Sequence, residues 1–207
     1  MVCVEMDCEN RTRIVNSSST ASRSVPGEVG IWVLVLAEVS IFTVVFGAFV
    51  VEWSRNPSFA TSAAQAHVTL GILNTVVLLT SSLTAAEVVA RVGDRHGARN
   101  PIRPLLATAA LGVVFILVKI YEYTSLVREG LTPLTDSFGM YYYVLTGLHL
   151  THVLLGLGAL AIAHRALVRA DGHRDRTLIT TRSAMIYWHM VDVLWLFLFP
   201  LVYLAAR

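Results

Sequence analysis

Apolar residues fill five long blocks of the chain, about 29–52, 67–91, 104–128, 140–165 and 183–206, and polar residues collect between them. A helix of roughly 20 mostly apolar residues crosses a hydrocarbon core, so each block is long enough to span a membrane. Turn chemistry marks the breaks: "RNPS" at 55–58, "RNPIRP" at 99–104, "REGLTP" at 128–133 and "DGHRD" at 171–175. The pattern predicts an all-α integral membrane bundle of five transmembrane helices. An odd number of crossings puts the two termini on opposite sides.

Composition agrees. Of 207 residues, 55% are hydrophobic and 14% charged, and the mean hydropathy is +0.63. A soluble domain is nearer a quarter charged. The net charge of +2 hides a strong asymmetry. The N-terminal tail, the second loop and the fourth loop carry 12 arginines, and the other side carries three, Arg55, Arg128 and Arg207. By the positive-inside rule the N-terminus is cytoplasmic and the C-terminus outside. The basic loops therefore report topology in a multi-pass plasma-membrane protein rather than a nucleic-acid surface. Residues 1–28 are polar and serine-rich, with Cys3 and Cys8 not in C-x-x-C spacing, and read as a disordered cytoplasmic tail with free thiols. Residues 29–207 form the membrane domain.

Ionisable side chains inside the blocks are the candidate functional groups, because each costs on the order of 2.5–3.5 kcal/mol at mid-bilayer on insertion scales. They are Glu38, Lys119, Glu122, His149, His152, His189 and Asp192, with Asn74 as a polar companion. Lys119 is the only lysine in the chain. At about 1.5 Å per residue, Glu38 and Asp192 lie roughly 14 Å from the cytoplasmic ends of their helices, with His189 somewhat shallower. Asn74, Lys119, Glu122, His149 and His152 fall roughly 20–27 Å in. Two polar layers result. The inner one joins Glu38, Asp192 and His189 as proton-handling or buried polar groups. The outer one holds the other five. Within it Lys119 and Glu122, at i,i+3, share a helix face and form a charge pair, with His149 or Asn74 as a further partner. The plainer reading of the histidines is hydrogen bonding between helices. A haem or metal ligand role fits less well, because His189 is out of level with His149 and His152 and neither H-E-x-x-H nor C-x-x-C-H occurs. No cofactor and no metal site are expected.

The blocks also carry motifs. "YWHMVDVLWLFLFPLVYL" resembles the last helix of subunit III of haem–copper respiratory oxidases, and "FGMYYYVLTGLHLTHVLLGL" resembles the helix before it. "ILNTVVLLTSSLT", "KIYEY" and "LAEVSIF" resemble further helices of that family, the last carrying its membrane-buried carboxylate at Glu38. The match runs in order from about residue 27 to the C-terminus. The chain resembles the five-helix form, lacking the two helices that make one wall of a lipid-filled cleft in seven-helix members. "PGEVGIW" and Lys119 in "KIYEY" look closer to a branch associated with nitric oxide reductases. The resemblance implies an accessory subunit without its own haem or copper. It implies contact with catalytic subunit I, and with subunit II, of a cytochrome c oxidase, where the subunit sustains proton uptake and protects the active centre. Membrane lipids are the other partners. The alternatives are an accessory protein of a nitric oxide reductase and, from another class, a small proton-coupled transporter.

Overall fold

The computed structural model describes residues 29–56, 59, 63, 66–94, 100–169 and 174–204. The proposed tail, with its two cysteines, lies outside them. Five helices follow one another: α1 Val29–Arg55, α2 Val68–Gly93, α3 Ile102–Arg128, α4 Ser137–Arg169 and α5 Arg174–Phe199, the last continued by a π-helical turn, Pro200–Leu204. All five are long and apolar enough to cross a membrane.

The helices overrun the apolar blocks. Helix α5 begins at Arg174, nine residues ahead of the expected start near 183. Arg174 and Asp175, the end of the stretch read as a turn at 171–175, are exposed helix. Helix α4 has 33 residues, about 50 Å, against a hydrocarbon core of roughly 30 Å. Its arginine-bearing end therefore extends beyond the core. A membrane limits how long the apolar stretch must be, not where hydrogen-bonded backbone stops.

Helix α5 is the centre of the bundle, packed against α1, α2 and α4, while α1 lies at the edge. The central packing element is Trp188, fully buried. Its ring sits where α3 and α4 each offer a glycine. A Cβ on Gly112 would come within 2.6 Å of the indole, and one on Gly156 within 2.9 Å. Any side chain there would displace the ring or the helices, so these glycines allow the close approach. The indole Nε1–H donates to Ser81 Oγ of α2 at 3.0 Å, satisfying the one polar atom that the ring brings into the core. One residue thus ties α5 to three other helices.

Proline at 200 lacks an N–H and cannot continue an α-helical ladder. The chain widens there into the π turn, which carries Tyr203 into the interior at 1% exposure.

Candidate functional site

Three polar clusters lie within the bundle. In the first, Lys119 and Glu122 stand one turn apart on α3, both wholly buried. Lys119 Nζ donates to Glu122 Oε2 at 3.0 Å, to Tyr142 Oη at 3.1 Å and to Tyr203 Oη at 2.9 Å. Tyr203 Oη donates to the other carboxylate oxygen, Oε1, at 2.8 Å. The ammonium therefore places all three of its hydrogens, and each carboxylate oxygen has a donor. The rings of Tyr123, Tyr142, Trp195 and Tyr203 surround Nζ with centroids 4.9–5.6 Å away, adding cation–π attraction on several sides. Tyr142 and Tyr203, rather than His149 or Asn74, complete the pair. Sequence reasoning passed over them because a tyrosine in an apolar block reads as bulk. The useful signals were "YYY" at 141–143 and a tyrosine just after Pro200.

His149 and Asn74 remain near the core without taking part. The His149 ring packs edgewise on Phe115 and at a tilt on Trp195, centroids 5.5 and 5.1 Å away. Both its nitrogens, and both side-chain polar atoms of Asn74, are buried without a hydrogen-bond partner among the described residues.

The second cluster joins α1 to α4. His152 Nε2 lies 2.8 Å from Glu38 Oε2, and its Nδ1 lies 2.8 Å from the carbonyl oxygen of Leu148. Counting along the helices set Glu38 level with Asp192 and placed His152 about a turn or two deeper. The structure instead sets Glu38 against His152. Ile31, Leu34 and Glu38 line one groove with Leu155, Ala159 and Ile162, so this half of α1 lies against the C-terminal half of α4.

In the third cluster, Ser82 Oγ of α2 lies 2.8 Å from His189 Nδ1 of α5. Asp192, one turn along α5 and 7% exposed, lies near the same serine, but both its carboxyl oxygens are buried without a hydrogen-bond partner among the described residues. His189 and Asp192 thus face α2, away from Glu38. Hydroxyls supply more links: Thr84 Oγ1 with Thr108 Oγ1 at 2.7 Å, Tyr123 Oη with Thr146 Oγ1 at 2.8 Å, and Trp195 Nε1–H to Thr75 Oγ1 at 3.1 Å.

An open groove of about 480 Å³ runs between α1, α4 and α5. Its walls are mainly aliphatic, with Glu38 and Tyr187 as the titratable groups on it. Among the described residues no three His, Cys, Asp or Glu side chains are grouped to hold a metal ion. What the arrangement does offer is buried acid–base chemistry.

The profile of the family described as cytochrome c oxidase subunit III matches residues 18–206. The chain belongs to that family. Cytochrome c oxidase subunit 3 of Synechocystis sp. is 33% identical over 91% of this chain and 84% of its own length. Quinol oxidase subunit 3 of Bacillus spizizenii is 30% identical over 86% of each chain. A heme–copper oxidase subunit I+III of Aeropyrum pernix is 29% identical over 84% of this chain, which covers 22% of that longer protein. As a subunit III of this family the chain is an accessory component of a haem–copper oxidase, and a multi-pass protein of the plasma membrane.

Proposed function

We propose that this subunit III docks on catalytic subunit I, with subunit II in the same complex, and sustains proton uptake and the working lifetime of the oxidase without a redox centre of its own. One observation supports this most: the interior is built of hydrogen-bonded acid, base and phenol groups, of which one carboxyl, Glu38, faces an open groove. The name of the Aeropyrum relative, which joins I and III, supports subunit I as the neighbour. The arginine asymmetry supports a cytoplasmic N-terminus, which puts the groove, lined by the N-terminal half of α1, nearer the side from which protons are drawn. The exposed faces of all five helices are aliphatic and suit lipid or a partner's helices. Relatives include both cytochrome c and quinol oxidase subunits, so the electron donor is a matter for the catalytic partner. The nitric-oxide-reductase and transporter readings gain no observation here.

The test is turnover of the oxidase in vesicles, with and without this chain. Loss of the chain is expected to leave the initial rate largely intact at acidic pH on the arginine-rich side. At alkaline pH on that side it should slow proton uptake and shorten the number of turnovers before inactivation. Equal proton uptake and equal lifetime with and without the chain would reject the proposal.

A further inference from the structure

Three histidines lie at membrane depth, and two of them belong to the interior. His149 is wholly buried against aromatic rings, and both nitrogens of His152 are engaged, by Glu38 and by the Leu148 carbonyl. His189 differs. Its Nδ1 meets Ser82 Oγ at 2.8 Å, while Nε2 has no hydrogen-bond partner among the described residues. The ring is only part-buried, and Nε2, unlike the nitrogens of His149, is not enclosed. It therefore reaches the outside of the bundle.

The place where it does so is apolar. Val193 and Leu196 follow His189 at i+4 and i+7 on the same face of α5, and Leu79 precedes Ser82 at i−3 on α2; each is about half exposed. His189 stands about 10 Å deeper than Arg182, the nearest basic residue of α5, and about 16 Å from Pro200. Ser82 is about 17 Å from Gly93 at the end of α2. At that depth lipid offers acyl chains, which neither donate nor accept, and head groups are out of reach. The open groove is no alternative: it is lined on α5 by residues such as Ser183 and Tyr187, on another side of the helix, and His189 is not on it. Ionisable side chains within membrane spans almost always face protein or a water-filled cavity rather than lipid.

The hydrogen bond at Nδ1 narrows the chemistry. If Ser82 donates, Nε2 carries the ring hydrogen and needs an acceptor; if Nδ1 donates, Nε2 is a lone pair and needs a donor. A hydroxyl or a carboxamide can answer either need. We infer that the outward face of α5 beside α2 is the face that docks on the catalytic subunit, and that a hydroxyl or carboxamide side chain on a transmembrane helix of that subunit closes the hydrogen bond at His189 Nε2. The inference rests on the function proposed above and adds the face and the anchoring residue. Half-exposed aliphatic side chains around the imidazole supply the packing, and the one polar contact sets the level at which the two helices meet.

Photo-crosslinking in the assembled complex tests the face. A benzophenone amino acid in place of Val193, one turn from His189, should link to the catalytic subunit. The same probe in place of Leu117, 60% exposed on α3, is the comparison and should not. Links from 193 to lipid alone or to a second copy of this chain, or an equal or greater yield with the catalytic subunit from 117, would overturn the inference. The anchor is tested by detergent challenge of the complex. His189→Leu should speed loss of the chain by about three- to ten-fold, and His189→Gln, which keeps a hydrogen-bonding end, should speed it less. Retention of His189→Leu equal to that of the unsubstituted chain would overturn the anchoring role. The crosslink is read with His189 in place, so it stands whether or not a variant at 189 folds. A chain that purifies with the catalytic subunit but links to it from 117 refutes the face and leaves the proposed function standing; a chain that no catalytic subunit accompanies refutes both.

Discussion

Lys119→Met is expected to destabilise the bundle by about 3–5 kcal/mol, and to do more harm than Lys119→Met combined with Glu122→Leu. The single change leaves a carboxylate fully buried, with one of its two oxygens stripped of its donor and no counter-charge. The double change removes both charges and leaves Tyr142 and Tyr203, whose hydroxyls are already 3.4 Å apart, to bond each other. Replacement of a whole buried ion pair by apolar groups is often nearly neutral, whereas breaking one is not. Denaturant titration of the purified protein in mixed micelles, arranged as a double-mutant cycle, gives the comparison. A double variant as unstable as the sum of the singles would show that the two groups are not coupled.

Trp188→Ala is expected to cost about 3–5 kcal/mol as well, by a different route. The fully buried ring fills the space above Gly112 and Gly156, and two helices held apart by an indole cannot collapse onto a methyl group without shifting along their whole length. Ser81 also loses the donor that satisfies it. Trp188→Phe, which keeps part of the ring and loses the hydrogen bond, should fall between. Phe197, 63% exposed on the same helix, provides the control: its alanine variant should stay within about 0.5 kcal/mol of the parent. Equal losses at 188 and 197 would contradict the packing described.

What could be read from sequence divides along the line between local and long-range geometry. The five helices were legible because a hydrocarbon core demands apolar length, and length is visible in one dimension. The Lys119–Glu122 pair was legible for a related reason: i,i+3 spacing on a helix fixes the two groups within reach before any tertiary contact forms. Glu38 and His152 are 114 residues apart in the chain on separate helices, and pairing them needs the level at which those helices pack. Arg174 and Asp175 were read as part of a turn because they are charged, whereas α5 already runs through them. The same counting set Asp192 beside Glu38, whereas it turns toward Ser82. The phenols of Tyr142 and Tyr203 escaped notice because a tyrosine declares its polar end only when a partner is in view. The fold is thus a property of the apolar pattern, while the inter-helix chemistry depends on tilt, overrun and the π turn after Pro200.

Purification of the affinity-tagged full chain from its own membrane in mild detergent, with mass spectrometry of the companions and an optical spectrum of the preparation, tests the central claim most directly. The chain should bring down a haem–copper oxidase catalytic subunit in fixed ratio, with the haem and copper bands of a terminal oxidase. A chain that emerges alone, or with a catalytic subunit carrying haem b and non-haem iron, would contradict the account.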